Sequence, residues 1–274
     1  MAPEPLEDDF AWVLRKALKG RNLAPARAAA RAGLPTAEVL AFSRGRFAAA
    51  TARQLAPAIG LDPDAFAAHP GYHPHAPLPA AVTRLPFPFD AGSVNAWLVR
   101  AATTTLLIDA GPDPAALRSA LARAAATPTA VLVTHPHGDH VGGLPAVAAP
   151  PAAIHAPAAA RLPGAAVLTP GDRLACGPLA VRVLDLDGHC PGHLGLLIEG
   201  LGTPLCAVGD ALFAGSVGGT PDARRHQLEL DLLRRHVLTL PGHTLLLPGH
   251  GPPTTIDLER RHNPFLATPA PGHA

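Results

Sequence analysis

The sequence predicts a mixed α/β protein with a metal site at the ends of several strands, preceded by a small all-helical domain. Four apolar runs end at or just before His135, His189, Asp210 and His250. Because α/β folds place their sites where strands of one sheet end, these side chains can meet although they are distant in sequence. The first 70 residues instead carry the spacing of short helices.

Four short helices are predicted within residues 1–70, which we assign to a separate N-terminal domain. The first has an apolar face that includes Phe10 and Leu18, and the others cover residues 24–31, 36–42 and 51–59. Their order resembles the helix-turn-helix domain of phage-repressor type. A DNA-reading helix needs a basic surface, but this domain has nine Lys and Arg against seven Asp and Glu. The charge balance favours a packing or dimerisation module over DNA binding.

Composition limits the remaining function classes. With 22 Lys and Arg against 21 Asp and Glu over 274 residues, whole-protein attraction to nucleic acid or anionic membranes is not expected. The acidic N-terminus lacks the features of a signal peptide, and no apolar stretch is long enough to span a bilayer, so we expect a cytoplasmic protein without a membrane partner. Cys176, Cys190 and Cys206 lack CxxC spacing and are expected to be buried free thiols.

A Pro- and His-rich stretch follows the helices and predicts a linker over residues 71–83, with the main domain over residues 84–274. His69, His73 and His75 lie in or beside this stretch and are expected at the surface. Two strands joined by a turn come next, and Asp109 closes the second. We expect Asp109 to brace the neighbouring loop by hydrogen bonds. A helix is then predicted over residues 114–126, with its proline in the first turn.

The densest group of candidate ligands follows the next strand. His135, His137, Asp139 and His140 occupy four of six consecutive positions in the segment THPHGDH. Imidazole and carboxylate at this density suit a cation such as zinc, which accepts nitrogen and oxygen donors. The alternative is a polar surface turn, and the ligand-type residues at the other strand ends argue against it.

These motifs carry a family resemblance. THPHGDHVGG resembles the HxHxDH motif of the metallo-β-lactamase superfamily, and DGHCPGHLG, VGDALFAGSVGGT and LPGHGPPTTIDLERRHNPFL resemble later motifs of its glyoxalase II-like thioesterase branch. Four motifs in the right order make the resemblance specific. It implies an αββα sandwich, in which two sheets pack face to face between helices and metals lie at one sheet edge.

The resemblance also implies a ligand set for two divalent metal ions, zinc by default with iron or manganese as alternatives. His135, His137 and His189 would hold the first, Asp139, His140 and His250 the second, and Asp210 would bridge them. Asp139 would also accept a hydrogen bond from an attacking hydroxide, which makes it the candidate catalytic residue. His193 is expected to support the ligands. The remaining histidines of this domain are expected at the surface or at helix ends: His155, His226, His236, His243 and His262.

Hydrolysis of an activated carbonyl fits such a centre, because a hydroxide between two metals can attack it and the metals can stabilise the oxyanion. Within this branch a thioester such as S-lactoylglutathione is the expected substrate. Glyoxalase II-like enzymes carry a basic residue for the glutathione carboxylate where this chain has Gly219, with Arg224 and Arg225 shortly after it. A different or smaller acyl-thiol therefore stays open.

Three other functions also stay open at this stage. A persulfide dioxygenase of the same superfamily would use one iron, but its second metal region would be degenerate. A lactonase would use the same metal pair. A DNA-binding regulator whose metal domain senses a metabolite would need the N-terminal domain to retain DNA in a salt-dependent way. The acyl group, the thiol carrier and the oligomeric state are not specified by the sequence.

Overall fold

A computed structural model describes residues 4–90, 92–147 and 152–267. It contains two six-stranded mixed sheets and a two-stranded hairpin. The first sheet has its strands in chain order: β1 (Val82–Phe89), β2 (Gly92–Ala101), β3 (Thr104–Ile108), β4 (Ala130–Leu132), β5 (Ala153–Pro157) and β6 (Ala166–Leu168). Strands β1 to β3 are antiparallel and β3 to β6 are parallel.

The second sheet is built from the C-terminal half of the chain. Its strands are β7 (Arg173–Cys176), β8 (Leu179–Asp185), β9 (Leu194–Glu199), β10 (Leu205–Gly209), β13 (Leu245–Pro248) and β14 (Thr254–Thr255), in the spatial order β14-β13-β10-β9-β8-β7. The hairpin pairs β11 (Leu212–Phe213) with β12 (Ser216–Val217). Only β10 and β13 pair in parallel within the described second sheet, so both point their ends toward the same edge.

Nine α-helices lie in the described residues. They are α1 (Phe10–Gly20), α2 (Pro25–Ala32), α3 (Thr36–Phe42), α4 (Ala49–Ile59), α5 (Pro63–Ala68), α6 (Pro114–Arg123), α7 (Gly138–Val141), α8 (Ala223–Leu232) and α9 (Ile256–His262). The side chain of Asp9 caps α1, and that of Asp113 caps α6, each by accepting two backbone N–H bonds. No described helix is both long and apolar enough to cross a membrane.

Alternating burial along the strands separates three hydrophobic layers, as a period of two requires. Trp97 and Val99 of β2 join Val181 and Val183 of β8 between the two sheets. Ala96 and Leu98 point to the opposite face, where they share a cluster with Leu117 of α6. The third cluster covers the outer face of the second sheet. Helices therefore flank both sheets, which confirms the predicted αββα sandwich.

The N-terminal helices belong to the outer layer on the second sheet. Their apolar residues Leu14, Phe42 and Leu55 fall into one cluster with Val208 of β10 and Leu246 of β13. In the same layer α1 packs against α8 and α5 packs against α9. The face of the second sheet is thus covered by helices from both ends of the chain.

Several predicted boundaries shift in the structure. Strand β1 begins at Val82, inside the stretch predicted as a linker, although it contains two prolines. Pro86 and Pro88 fit because β1 is an edge strand that needs ladder bonds on one side only. The N-terminal region contains a fifth helix, α5, in addition to the four expected. Helix α6 ends at Arg123, earlier than predicted.

Two of the expected surface histidines are buried, so these predictions were wrong. His69 is 1% exposed and its Nε2 lies 3.1 Å from the carbonyl oxygen of Gly215. His226 is 4% exposed because α8 packs on α1, where its ring lies over Gly20. The other histidines expected at the surface are exposed or half-buried: His73, His75, His155, His236, His243 and His262.

Cysteine usage agrees with the expectation of free thiols. All three cysteines are free, and Cys190 and Cys206 are buried, whereas Cys176 is half-buried. Burial raises the pKa of the Cys206 thiol to about 12. The thiols of this chain are therefore protonated packing groups at neutral pH.

Candidate metal centre

The candidate ligands come from four strand ends. Strand β4 stops at Leu132, and the loop that follows carries His135 and His137 before α7 presents Asp139 and His140. The other three follow β8, β10 and β13, which end at residues 185, 209 and 248. They are His189, Asp210 and His250.

These seven side chains converge into overlapping groups in which each ligand atom lies within 4.8 Å of the others. One group is His135, His137, His189 and Asp210, and another is Asp139, His140 and His250. The Asp210 carboxylate stands between the groups. Its oxygens lie 3.2 Å from His140 Nε2, 3.4 Å from His250 Nε2 and 3.7 Å from His189 Nε2. The structure thus brings together every residue that the sequence predicted as a ligand.

Hydrogen bonds at the outer nitrogens fix how the imidazoles of His189 and His250 face the centre. The Nδ1 atoms of His189 and His250 lie 2.8 and 3.0 Å from the carbonyl oxygens of Gly219 and Ser93, which can only accept. Each Nδ1 must therefore carry the proton, so each Nε2 can turn a lone pair toward the centre. Donation to fixed acceptors is the usual support of metal-binding histidines.

Asp109 performs the same task for the β4 loop. Its Oδ1 accepts the Thr134 N–H and its Oδ2 accepts the Thr134 hydroxyl, both at 2.8 Å, and Oδ2 also lies 2.9 Å from His140 Nδ1. Since Thr134 Oγ1 gives its proton to Asp109, it must accept from His135 Nδ1 at 3.0 Å. One carboxylate therefore orients two imidazoles, and its own backbone adopts the left-handed region at φ 56°.

Close packing behind Asp210 explains the glycine of the PGH segment. A Cβ at Gly249 would lie 2.1 Å from Asp210 Oδ1 and 2.7 Å from His140 Cε1. On the other side, the Asp210 backbone N–H donates to His193 Nε2 at 3.1 Å, and His193 is fully buried. Asp210 is held from both sides, so its carboxylate position is set by packing before any ligand arrives.

Charges in the centre are strongly coupled. Burial raises the pKa of Asp210, but the neighbouring His140, His250 and His135 lower it by more than burial raises it. The pKa of Asp210 therefore lies well below its usual range. Burial lowers the pKa of His250, but its hydrogen bonds with Asp139 and Asp210 raise it to about 10. Without a cation, protons on the histidines compensate the carboxylates.

A bound cation could replace those protons, and the polar atoms of the centre fit one. Among the described residues, the buried atoms His135 Nε2, His140 Nε2 and Asp210 Oδ1 have no hydrogen-bond partner. Unsatisfied buried polar atoms are costly, and here they face one another. Nitrogen and oxygen donors in this arrangement are those that zinc, iron and manganese accept.

Comparison with known proteins identifies the family. The model of the metallo-beta-lactamase superfamily matches residues 89–250, more than half of the chain. The chain belongs to the metallo-beta-lactamase superfamily. The match begins in β1 and ends at His250, so it contains all seven candidate ligands.

Relatives within the superfamily include named hydrolases. The chain is 32% identical over 195 residues to the probable metallo-hydrolase YqgX of Bacillus subtilis, covering 63% of this chain and 92% of that protein. It is 35% identical over 150 residues to hydroxyacylglutathione hydrolase of Fuscovulum blasticum, covering 53% and 57%. This second match spans little more than half of the hydroxyacylglutathione hydrolase.

A solved structure of the superfamily is similar in fold and sequence. TTHA1623, crystallised in a di-iron-bound form, is 35% identical, with a TM-score of 0.51, and the alignment covers 66% of this chain and 99% of that one. Membership of the superfamily and its hydrolase relatives support a metal-dependent, hydrolase-like enzyme. The His and Asp groups described above are able to hold its divalent metals.

The two basic residues that follow Gly219 in the sequence, Arg224 and Arg225, have different surroundings in the structure. Arg225 binds the Asp187 carboxylate with both terminal nitrogens, and its Nε donates to the carbonyl oxygen of Gly188 at 3.3 Å. It therefore braces the loop that carries His189 and is not free to receive a substrate carboxylate. Arg224 is exposed, and Gly219 has open space where a side chain would begin.

Sequence reasoning missed several supporting groups. Thr134 directly precedes the first ligand, and its place between an apolar run and a histidine was a usable clue. The carbonyl groups of Ser93 and Gly219 gave none, because every residue has one. Cys190, adjacent to His189, is outside the ligand groups found among the described residues, and burial raises its thiol pKa to about 12.

Proposed function

We propose that this protein is a dinuclear metal-dependent thioesterase that hydrolyses S-lactoylglutathione or a related acyl-thiol. One observation carries the proposal: two groups of ligand-type side chains lie on either side of the Asp210 carboxylate at the same edge of the sandwich. The hydroxyacylglutathione hydrolases among the relatives support a thioester substrate, and the di-iron form of TTHA1623 supports two metals.

We assign His135, His137 and His189 to one cation and Asp139, His140 and His250 to the other, with Asp210 shared. When bound, the two divalent cations would acidify a water molecule and stabilise negative charge on the carbonyl oxygen. Zinc is the default on donor chemistry, whereas iron is supported by the TTHA1623 structure.

Asp139 is placed to handle the proton of the attacking water. Its Oδ2 lies 3.3 Å from His250 Nε2 and 3.6 Å from His140 Nε2, so the carboxylate reaches into the centre. Burial raises the pKa of Asp139, and so does the charge of Asp210, but the hydrogen bond with His250 and the charge of His140 lower it by more, so the pKa lies below its usual value. As a carboxylate, Asp139 accepts a hydrogen bond from water and aims it at the substrate carbon.

No protein nucleophile is needed for this reaction. Cys190 is the nearest thiol along the chain, but its pKa of about 12 keeps it protonated, and the thiolate is the reactive form of cysteine. The leaving thiolate needs no strong general acid, because it is already a good leaving group beside a cation.

A mononuclear iron persulfide dioxygenase is the second candidate within the superfamily. It would leave the group of Asp139, His140 and His250 incomplete, whereas these three side chains are close together and supported by Asp109 and Ser93. The complete second group is the observation that favours the hydrolase.

The test is steady-state hydrolysis of S-lactoylglutathione, measured as thiol release, with metal content determined on the same sample. We expect metal-dependent release by the native chain and loss of turnover in His189→Ala and Asp210→Ala, with unchanged circular dichroism. More than a small residual rate in both variants would reject the ligand assignment.

Gly219→Lys is a second variant, designed to improve the binding of glutathione thioesters. Because a side chain has open space there and the backbone carbonyl that holds His189 is retained, the added ammonium group should lower KM for glutathione thioesters without changing kcat. An unchanged KM would mean that the thiol carrier does not extend past this residue.

A further inference from the structure

The N-terminal residues reach one of the candidate metal ligands. Residues 4–9, which we call the N-terminal strap, lie beside the last ligand, with Glu7 Oε1 4.0 Å from His250 Nδ1. Gly251 makes this approach possible, since a Cβ there would lie 3.1 Å from the Glu7 backbone nitrogen. The strap thus packs against the outer side of a candidate ligand, although it is far from the superfamily motifs in sequence.

Buried polar contacts hold the strap in place. Asp8 binds Lys16 of α1 and accepts the Ser216 hydroxyl at 2.6 Å, and Lys16 also donates to the carbonyl oxygen of Val217 at 2.8 Å. The Lys16 and Asp8 side chains are only 14% and 7% exposed. An ion pair at this depth requires a defined geometry, so the position of the strap is specific.

A cavity of about 720 Å³ lies between the strap, α1 and the turn from β1 to β2, and His250 is among its lining residues. Trp12 and Phe89 supply aromatic surface to it, and Trp12 is 51% exposed. A volume of this size accommodates a small organic ligand. The cavity therefore adjoins the metal centre at the His250 side chain. A thiol carrier that extends past His250 would enter it.

The charges of the cavity have one dominant sign. Its lining includes four carboxylates, Glu4, Glu7, Asp8 and Asp90, and one amine, Lys16. Two of the carboxylates are already paired, Glu4 with Arg84 and Asp8 with Lys16.

Within the part of the chain that the structure describes, Glu7 and Asp90 therefore remain to face a ligand. Glu7 meets His250, but the Nδ1–H of that histidine is used by the Ser93 carbonyl.

A second observation also indicates that cationic side chains for a ligand are scarce near the centre. Gly219, whose carbonyl oxygen holds His189, carries no side chain, and the guanidinium of Arg225 is bound by Asp187. The surroundings of the centre thus offer carboxylates and aromatic rings to the thiol carrier, where a carboxylate-bearing carrier would need cations. Carboxylates and aromatic faces together recognise ammonium groups.

We propose that the N-terminal strap selects the substrate, and that it favours acyl thioesters whose thiol carrier bears an ammonium group, with Glu7 as a specificity-determining residue. This inference rests on the proposed thioesterase function. It also gives the N-terminal helices a role in the active site, because α1 supplies Trp12 and Lys16 to the same cavity.

The kinetic test compares acetylthiocholine with 3-(acetylthio)propionate, which share the acetyl group and carry opposite charges. The native chain should give the higher kcat/KM with acetylthiocholine. Glu7→Gln should lower that kcat/KM about two- to fivefold through KM, as expected for a solvent-accessible charge pair, and leave the anionic thioester unaffected or faster. Asp64→Asn, an exposed carboxylate outside the cavity, is the matched control and should change neither.

A binding readout separates this inference from the thioesterase proposal. Choline is titrated into the protein as purified, with its metals retained, while the fluorescence of Trp12 is followed, with Trp12→Phe as the blank. Saturable binding that weakens in Glu7→Gln supports the cationic cavity. Choline binding without hydrolysis of either thioester would reject the thioesterase function and keep the cavity preference. Hydrolysis of both thioesters at equal kcat/KM, without choline binding, would overturn the inference and keep the function.

Discussion

Replacing Asp109 with asparagine should weaken metal binding while leaving the backbone intact. Asp109 has φ 56°, and asparagine tolerates the left-handed region as aspartate does. The amide oxygen can still accept the Thr134 N–H in place of Oδ1. The substitution therefore changes one thing, namely that an acceptor at the Oδ2 position becomes a donor.

The size of the effect follows from the two groups that Oδ2 now serves. It accepts from the Thr134 hydroxyl at 2.8 Å and from His140 Nδ1 at 2.9 Å. An amide NH₂ cannot accept either proton, so His140 must move its proton to Nε2 to avoid two donors facing each other. That proton occupies the lone pair meant for the metal. We expect metal affinity to fall about 10- to 100-fold, the usual cost of losing such a support.

The assay is competition with a chromophoric chelator, with one- and two-metal binding resolved. In Asp109→Asn the loss should fall mainly on the cation held by Asp139, His140 and His250. Asp113→Asn is the matched control, because Asp113 caps α6 and asparagine caps equally well. If the affinities for the first and for the second metal ion are both unchanged in Asp109→Asn, the role that we assign to the Asp109 carboxylate is refuted.

Three further predictions follow from the same geometry. Gly249→Ala should lower kcat about 100-fold, because its Cβ would lie 2.1 Å from Asp210 Oδ1 and would push the carboxylate out of position. A kcat within a factor of about three of the native value would mean that the loop adapts freely. Adding zinc to metal-free protein at pH 7 should release protons, since the pKa of His250 is about 10 and that of His140 is well above its usual value; a pH-indicator titration without proton release would contradict this charge state. Burial, followed by the charges of Arg21 and Lys16, lowers the pKa of His226 from 6.5 to about 4. The unfolded chain therefore binds that proton first as pH falls, and the free energy of unfolding should decrease from pH 6.5 to 4. Urea denaturation over this range, with His226→Gln as the comparison, should show a flatter profile for the variant, and identical slopes would argue against His226.

The catalytic half of the fold was accessible from the sequence because strand ends and ligand chemistry coincide. Apolar runs before His189, Asp210 and His250 marked buried strands, and each ligand followed where the run stopped. Two neighbouring parallel strands, β10 and β13, necessarily deliver their ends to the same edge. The convergence of these residues could be predicted from local patterns alone.

The N-terminal part was harder to predict because its role depends on tertiary packing. The helices were found from their spacing, but nothing in the sequence showed that Leu14 and Phe42 would cover the second sheet. The same packing buries His69 and His226, which looked like surface residues. A histidine carries no local mark of burial, so it is the partner helix that decides its environment.

The strap illustrates the same limit at the active site. Glu7 and Asp8 belong to the acidic N-terminus, for which the sequence predicted no role, yet Asp8 is 5% exposed and bound to Lys16. Whether the N-terminal helices also bind DNA stays a prediction. Two polar residues on or beside α3 have partners within the chain: Glu38 accepts the Thr51 hydroxyl, and the Ser43 carbonyl oxygen accepts from Arg15.

The most direct test of the central claim is the number of metal ions per chain, measured by mass spectrometry of purified protein together with S-lactoylglutathione hydrolysis by the same sample. We predict two ions per chain, with the rate of thiol release rising in proportion to metal content and returning when zinc, iron or manganese is added back after chelation. A fully loaded chain that holds one ion and releases no thiol would contradict the dinuclear thioesterase.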